Sequence, residues 1–361
     1  MKTLFYKIFA LFFNICRVVP VKENRVVLLA PHPGGSHDST GAVEEYLKEK
    51  GGYELIRINV PRSGIKNYIR FFLRDSRILA SAKYIFLNDN FMPIADLHFS
   101  KEAIITQLWH GEGAFKKFGL LTDIDQNTAQ RLKKCTEKLT YITCTSENVR
   151  DIYADAFGAN REKVLPLGSP RIDYLLKNRD ISALREEFDK KYPQCKGKKA
   201  VLYAPTFRDT PERDKALLDT LDIDLFNKEI GGDYVLLLKL HPRVHSAAVP
   251  GGVIDVTGLD TAMLTLICDT LITDYSSICM DFALLKKSCI FYAYDLKEYE
   301  GERSFCNGYE DYVPGPVITD FRDIPEAVRS GKVDEKADKF LKFNFDYIDD
   351  KNTERILKVI L

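Results

Sequence analysis

Two histidines each follow an apolar run that has the length of a buried β-strand. His110 comes directly after residues 104–109, and His241 comes directly after residues 234–240. An imidazole changes its protonation state near neutral pH, so His110 is a candidate general base. His241, with Arg243 two residues further on, could bind a diphosphate. The alternative for His110 is a structural histidine beside the chain's only tryptophan. The alternative for His241 is a surface loop with a solvated basic edge.

A pair of serines follows a third apolar run, residues 270–273. Ser276 and Ser277 stand at the start of an expected helix, where a serine hydroxyl commonly caps the first turn. Backbone N–H groups and two hydroxyls at that point could bind a phosphate group. An ordinary capped turn between a strand and a helix is the alternative.

Arg208 follows a fourth apolar run, residues 200–204. Parallel strands end at the same edge of a sheet, so we expect Arg208 near His241 and Ser276. A salt bridge with Asp209 is the alternative. If the strand ends of both halves of the chain meet across a cleft, a base faces a phosphate-binding group. This arrangement predicts transfer from a nucleotide-activated donor to a hydroxyl acceptor that gives its proton to the base.

Metal ligands are not indicated by the sequence. Asp222 and Asp224 have the D-x-D spacing, but they lie in an acidic stretch that is typical of a solvated helix. None of the eight cysteines forms a C-x-x-C pair, which is the usual signature of a zinc site. We therefore expect a mechanism without a metal or another cofactor.

Apolar runs alternate with helix-length segments, a pattern that predicts parallel sheets covered by helices on both faces. A charged connector, residues 177–199, divides the 361 residues into two Rossmann-like α/β domains. We expect an N-terminal acceptor domain over 21–176 and a C-terminal donor domain over 177–361, whose last helix could cross back. The expected strands are residues 26–30, 53–60, 84–88, 104–109, 141–145, 200–204, 234–240, 270–273 and 289–293.

Residues 1–20 form a separate segment that ends at Pro20. Apolar side chains cover most of the expected helix and are interrupted by Lys7, Asn14 and Arg17. Anionic lipids attract lysine and arginine, so an amphipathic helix on a membrane surface is one interpretation. A helix packed on the domain and a cleaved signal peptide are the alternatives.

Charge and hydropathy exclude two classes of protein. The chain has 52 basic and 52 acidic residues, whereas a dedicated nucleic-acid-binding protein usually carries a basic excess. No run of 18 apolar residues occurs, which excludes a polytopic membrane protein. The hydrophobic fraction of 45% is typical of an ordinary globular chain.

Several motifs between about residues 105 and 320 resemble, in order, those of the CDP-glycerol glycerophosphotransferase family of teichoic acid synthesis, which includes wall primases and polymerases. They are Trp109-His110-Gly111 with Lys116-Lys117-Phe118-Gly119, Leu167-Gly168-Ser169-Pro170-Arg171-Ile172-Asp173, Leu202-Tyr203-Ala204-Pro205-Thr206-Phe207-Arg208, Leu240-His241-Pro242, Leu271-Ile272-Thr273-Asp274-Tyr275-Ser276-Ser277, Phe291-Tyr292-Ala293-Tyr294-Asp295-Leu296 and Val313-Pro314-Gly315-Pro316-Val317.

The resemblance implies a GT-B-like fold with two sheets facing a cleft, a CDP-polyol donor, and a polyprenyl-diphosphate-linked or polyol-phosphate acceptor at the membrane. It implies a cytoplasmic enzyme that is peripheral on the inner face of the plasma membrane. His110 matches the proposed catalytic base of the family. His241, Ser276 and Ser277 match residues that bind the donor phosphates, and Asp274 helps to shape their turn. Arg208 lies within a family motif, and its phosphate-binding role is our inference.

The chain departs from the family pattern beside the expected base. Glu112 and Gly113 stand where the family usually has Thr-Pro, and together with Gly111 they are expected on the acceptor side. Phe207 stands where the family usually has tryptophan. The expected reaction is transfer of glycerol phosphate from CDP-glycerol to a hydroxyl of the acceptor, with release of CMP. A CDP-ribitol transferase, a sugar-nucleotide glycosyltransferase and a non-catalytic nucleotide-binding partner are the alternatives.

Overall fold

The computed structural model describes most of the chain, namely residues 2–30, 37–61, 63–177, 179–208, 210–241, 244, 249–302 and 305–361. Asp209 and Arg243, which the sequence analysis placed beside Arg208 and His241, lie outside the described residues. Among the helices in these ranges, none has the length and hydrophobicity needed to cross a membrane.

Strands occur at all nine positions where buried apolar runs predicted them, and three further short strands are present. In chain order the strands are β1 (Lys22–Ala30), β2 (Glu54–Asn59), β3 (Ala82–Leu87), β4 (Ile104–Gln107), β5 (Tyr141–Cys144), β6 (Val164–Pro166), β7 (Lys199–Tyr203), β8 (Tyr234–Leu238), β9 (Ile254–Asp255), β10 (Thr270–Thr273), β11 (Ser288–Tyr292) and β12 (Val317–Ile318).

Helices fill most of the segments between the strands. They are α1 (Lys2–Cys16), α2 (Ser39–Lys50), α3 (Ile65–Arg70), α4 (Ser76–Ala80), α5 (Gln126–Glu137), α6 (Arg150–Phe157), α7 (Pro170–Leu176), α8 (Ile181–Lys191), α9 (Pro211–Asp219), α10 (Ile223–Ile230), α11 (Thr261–Ile267), α12 (Ile278–Leu284), α13 (Leu296–Glu302), α14 (Tyr309–Tyr312), α15 (Ile324–Ser330), α16 (Lys336–Asn344) and α17 (Asn352–Ile360). A π-helical turn, Phe71–Asp75, joins α3 to α4.

The chain divides into two compact units, each built on one parallel sheet. Unit 1 comprises Met1–Leu176 and Phe343–Leu361, and unit 2 comprises Lys177–Lys342. The strand order is β2-β1-β3-β4-β5-β6 in unit 1 and β12-β11-β10-β7-β8-β9 in unit 2. Unit 2 therefore has the Rossmann order, which reverses between β7 and β10, and the order of unit 1 reverses between β1 and β3. The expected pair of Rossmann-like α/β units is confirmed.

Burial on both faces explains why the apolar runs form central strands. Every residue of β10 and β11 is buried, as are the last six residues of β1. A parallel sheet covered by helices on both sides requires such continuous apolar strands. The carboxyl ends of the strands then carry the polar loops, and ligands of open α/β sheets bind at that edge.

The C-terminal segment returns to unit 1. Ile356, Leu357 and Ile360 of α17 are buried in the core that includes β1 and α2. The Asp173 carboxylate accepts hydrogen bonds from the backbone N–H groups of Asn352 and Thr353, at 2.9 and 2.8 Å, and so holds the start of α17. The domain expected over 177–361 therefore ends at Lys342, and the last helix does cross back.

Helix α1 packs on unit 1 along one face only. Phe9 and Phe13 are fully buried, and the Phe9 ring stacks on Phe71 at 4.5 Å between centroids. The opposite face leaves Leu11 and Ile15 more than half exposed. Packing on the domain is therefore observed, with an apolar face left over.

Candidate active site

The backbone turns sharply just before His110. Leu108 still pairs with β3, because its N–H donates to the Leu87 carbonyl at 2.7 Å. Trp109 then adopts a φ of 60°, which is rare and strained for a residue with a bulky side chain. Its ring packs against Phe118 and Phe157, at 5.2 and 5.1 Å between centroids, and this packing holds the strained turn. The turn places His110 beyond the carboxyl end of β4.

The hydrogen bond of His110 defines which ring nitrogen can act as a base. Nδ1 lies 3.1 Å from the carbonyl oxygen of Asn88. A carbonyl can only accept, so Nδ1 carries the proton and donates it to Asn88. The lone pair of a neutral His110 is then on Nε2. The side chain is 55% exposed, and an acceptor hydroxyl can therefore reach that nitrogen.

The loop that follows His110 is fixed to unit 1 from several sides. The Tyr153 hydroxyl donates to the Gly111 carbonyl at 2.7 Å, and the Gly113 N–H donates to the Thr145 hydroxyl at 3.0 Å. Both glycines thus contribute backbone groups to internal hydrogen bonds. They hold the loop in place next to the candidate base.

Glu112 does not face an acceptor, which corrects the sequence-based expectation. Its side chain is 3% exposed and forms two hydrogen bonds with Arg171, Nε to Oε1 at 2.8 Å and Nη2 to Oε2 at 2.9 Å. The Ser169 hydroxyl also donates to Oε1 at 3.2 Å. A buried carboxylate needs such partners because water no longer solvates it. Glu112 therefore ties the His110 loop to the start of α7.

Asp274 holds the turn after β10 by hydrogen bonds from below, and its burial leaves it no direct contact with a donor phosphate. Its Oδ1 accepts hydrogen bonds from the backbone N–H of Thr206, at 2.7 Å, and of Tyr275. These bonds fasten the turn to the end of β7, and Asp274 itself is fully buried. Ser276 is half-buried and Ser277 is exposed, and the Ser277 hydroxyl does not cap α12. Both serine side chains can therefore contact a ligand at this edge.

Arg208 is buried, which corrects the prediction that it binds the donor phosphates. Its guanidinium donates two hydrogen bonds to Asp295, at 2.8 and 3.0 Å, and one to Asp274, at 3.0 Å. The two carboxylates raise the pKa of Arg208 above its usual value despite burial. The side chain is 2% exposed, so Arg208 supports the turn from below.

Two tyrosines complete this buried network. The Tyr275 hydroxyl donates to Asp295 at 2.8 Å, and the Tyr309 hydroxyl donates to the Asp274 carbonyl at 2.8 Å. Burial, together with nearby carboxylates, raises the pKa of both phenols far above the usual range, so both remain neutral donors. Sequence reasoning missed the two tyrosines, because their partners lie 20 to 35 positions away.

His241 lies at the carboxyl end of β8, on the same sheet edge as Ser276 and Ser277. The imidazole is exposed and lies 4.6 Å from the Phe207 ring, which follows β7. Strand β7 pairs with both β8 and β10, so the His241 loop and the serine turn flank the end of one strand. The structure thus places Ser276 and Ser277 at the switch point of unit 2, and His241 beyond the neighbouring strand on the same sheet edge, where open α/β sheets bind ligands.

Comparison with known families decides the class of protein. A family model described as CDP-Glycerol:Poly(glycerophosphate) glycerophosphotransferase matches residues 11–361. The chain belongs to this family. The resemblance seen in the motifs is therefore confirmed, and so is the expectation that the chain is a transferase.

Relatives of similar length include proteins named for two different polyols. The teichoic acid ribitol-phosphate primase of Bacillus spizizenii is 32% identical over 95% of this chain and 92% of its own length. The teichoic acid glycerol-phosphate transferase of Staphylococcus aureus is 31% identical over 91% of this chain and 89% of its own length. The chain spans only 58% of the Bacillus spizizenii teichoic acid poly(ribitol-phosphate) polymerase, to which it is 31% identical.

Solved structures show the same fold. The wall teichoic acid polymerase TagF is 25% identical, with a TM-score of 0.81 over 99% of this chain and 93% of that chain. A UDP-GlcNAc 2-epimerase of Methanocaldococcus jannaschii shares the fold at 13% identity, with a TM-score of 0.54. The expected GT-B-like architecture is therefore confirmed.

Proposed function

We propose that the protein transfers a polyol phosphate from a CDP-polyol, with CDP-glycerol as the first candidate, to a hydroxyl group of a lipid-linked or polymeric acceptor. The reaction releases CMP and serves the synthesis of teichoic acid or a related surface polymer. The observation that carries this proposal is the geometry of His110, whose Nδ1 is bonded to Asn88 while Nε2 remains accessible, in a chain of the glycerophosphotransferase family.

In the proposed reaction, each unit supplies groups from the carboxyl edge of its own sheet. Nε2 of His110 takes the proton of the acceptor hydroxyl as its oxygen attacks the phosphorus that carries the polyol. The bond from that phosphorus to the CMP oxygen breaks, and negative charge grows on the departing phosphate. The hydroxyls of Ser276 and Ser277 and the imidazole of His241 donate hydrogen bonds to the phosphates. Arg208 and Asp274 hold the serine turn in position, and each step uses the chain's own side chains.

The choice of polyol is tested by a transfer assay with radiolabelled donors. Purified protein is incubated with a polyol-phosphate acceptor and with CDP-glycerol, CDP-ribitol or a UDP-sugar. We expect label to pass to the acceptor from CDP-glycerol, with CMP formed in equal amount. Turnover of CDP-ribitol alone would make CDP-ribitol the donor in this proposal. The relative named for ribitol phosphate is as similar to this chain as the one named for glycerol phosphate. Turnover of a UDP-sugar alone would contradict the proposal.

We also propose that unit 1 contacts the inner face of the plasma membrane through an apolar surface formed by α1 and the continuous helical segment 65–77, called here the lipid face. Ring contacts join the two, since Phe5 lies 5.3 Å from Phe72 and Phe9 stacks on Phe71. The apolar side chains of the lipid face, each more than half exposed, are Leu4, Leu11, Ile15, Val18, Ile65, Ile69 and Leu73.

The charge of the lipid face suits anionic lipids. Exposed cations accompany these apolar side chains among the described residues, including Lys7, Arg17, Lys66, Arg70, Arg74 and Arg77. Residues 4–20 contain no acid, and residues 63–77 contain only Asp75, which is buried. Cationic side chains near an anionic bilayer each contribute about 1 kcal/mol of attraction, and the apolar side chains add their transfer into the interface.

Vesicle sedimentation tests the lipid face. The wild type is expected to pellet with vesicles of phosphatidylglycerol and phosphatidylcholine, less at high salt, and about tenfold less as the double variant Leu11→Glu/Ile69→Glu. The control Val359→Glu changes an apolar residue of α17 that is 53% exposed and should pellet like the wild type. Equal pelleting of the wild type and the double variant would contradict the role of this surface.

A further inference from the structure

We propose that Asp89 is a positioning residue for His110 and stabilises the protonated imidazole that forms during transfer. The inference rests on the proposed function in assigning His110 as the base. No sequence motif marks Asp89, which is simply the second residue after the end of β3. Its relation to His110 arises from the pairing of β3 with β4, which aligns Leu87 with Gln107 and brings the next residues of both loops together.

The distance between the two side chains fits a charge interaction. Oδ1 of Asp89 lies 3.8 Å from Nδ1 of His110, which is too long for a hydrogen bond. The Nδ1 proton is directed at the Asn88 carbonyl at 3.1 Å instead. Asp89 therefore does not choose the tautomer, which the Asn88 carbonyl already sets. Its negative charge acts when Nε2 gains a proton and the ring becomes cationic.

The carboxylate is held in place before the reaction begins. The backbone N–H of Asn90 donates to Oδ1 of Asp89 at 2.6 Å, and the Asp89 side chain is only 30% exposed. The amide of Gln107 donates to the Asp89 carbonyl at 3.2 Å and accepts from the Trp109 N–H at 3.0 Å. One buried side chain thus connects the backbone of both loops. A charge fixed in this way stabilises a developing cation without reorganisation.

Two further acids of unit 1, Asp38 and Glu112, interact with groups other than His110. Asp38, at the start of α2, accepts hydrogen bonds from the Asn88 side chain and from the Gly41 N–H. Glu112, on the loop of His110 itself, is paired with Arg171 of α7. Among the described acids, Asp89 is the one that the structure places within 4 Å of the His110 ring nitrogen. In the proposed reaction, His110 therefore becomes protonated with the carboxylate of Asp89 close to its ring.

Asp89→Asn tests the inference, because asparagine keeps the shape and an acceptor oxygen for the Asn90 N–H but removes the charge. We expect kcat for CDP-polyol transfer to fall about tenfold, while KM for the donor and the melting temperature stay unchanged. Asp89→Glu restores the charge and should recover part of kcat. The control Asp155→Asn removes an exposed carboxylate on α6 and should leave kcat unchanged.

A second measurement does not depend on turnover. Diethyl pyrocarbonate modifies neutral imidazole, and mass spectrometry reports modification of His110 as a function of pH. In Asp89→Asn the cationic ring loses the carboxylate that lies 3.8 Å from Nδ1, so half-maximal modification should occur at a lower pH than in the wild type. An unchanged half-maximal pH, or a fall in kcat matched by a lower melting temperature, would overturn the inference. If the half-maximal pH shifts but the wild-type protein transfers no CDP-polyol, the interaction between Asp89 and His110 is supported and the proposed function is refuted.

Discussion

Glu112 and Arg171 form a buried ion pair with two parallel hydrogen bonds, at 2.8 and 2.9 Å, across 59 positions of sequence. Glu112 is two residues from the candidate base, and Arg171 is the second residue of α7. The pair therefore links the loop that carries His110 to the start of α7 and fixes the position of that loop. Glu112, which stands where the family motif usually has threonine, thus makes an internal contact in this chain.

Arg171→Met should strongly destabilise the protein. It leaves the Glu112 carboxylate buried without its charge partner, and breaking a buried pair in this way costs about 3–5 kcal/mol. Chemical denaturation measures the free energy of unfolding. Arg322→Met breaks an exposed pair with Asp320, which water already solvates, and should leave the free energy of unfolding almost unchanged. Equal effects of the two substitutions would show that the Glu112 pair is not the anchor described here.

Ser277→Ala and His241→Ala should weaken use of the donor. Each variant removes a group that we propose donates a hydrogen bond to a charged phosphate, so we expect KM for the CDP-polyol to rise about tenfold. The melting temperature should not change, because both side chains are exposed. Ser330→Ala, at an exposed position of α15, is the matched control. A donor KM equal to that of the wild type in both variants would remove these residues from the donor site.

Arg208→Met should act on stability first and on the donor second. The variant leaves Asp274 and Asp295 buried without their shared cation, and a loss of about 3–5 kcal/mol is expected. At a temperature where the variant is still folded, KM for the donor should rise because the serine turn loses its support. A higher KM with wild-type stability would instead indicate direct contact between Arg208 and the donor phosphates.

The stability of unit 1 should depend on pH through Asp75. Burial raises the pKa of Asp75 above the usual value for a carboxyl group, while Arg70 and Arg74 partly oppose the shift. The folded state then binds more protons than the unfolded state, so the Asp75 contribution to stability falls as pH rises through the raised pKa. Asp75→Asn does not titrate.

Calorimetry of Asp75→Asn and the wild type at about pH 4.5 and about pH 7.5 measures this effect. The melting temperature of the variant relative to the wild type should be higher at the upper pH. Asp155→Asn, which changes an exposed carboxylate, should show the same difference from the wild type at both pH values. If the melting temperature of Asp75→Asn, relative to that of the wild type, is lower at about pH 7.5 than at about pH 4.5, the raised pKa of Asp75 is contradicted.

Strands β10 and β11 could be predicted because every one of their residues is buried, which a central strand covered on both faces requires. The missed strands β6, β9 and β12 have two or three residues each and lie at or near sheet edges, where no long apolar run is required. Their formation depends on the neighbouring strand and not on their own composition.

The positions of the candidate site residues could be predicted where a residue directly follows the end of a strand. His110, His241 and the serine pair belong to this group. Glu112 and Arg208 were misassigned because their partners, Arg171 and Asp295, lie 59 and 87 positions away. Local sequence shows that a charged side chain is present but not whether a distant partner neutralises it.

Transfer by His110→Ala, measured together with donor binding, tests the central claim most directly. The variant removes the only group assigned to take the acceptor proton, so kcat for passage of labelled polyol phosphate should fall about 10²–10⁴-fold. Calorimetric titration should still show CDP-glycerol binding with the wild-type Kd, since the donor groups lie in unit 2. Transfer by His110→Ala at a rate close to that of the wild type would contradict the account.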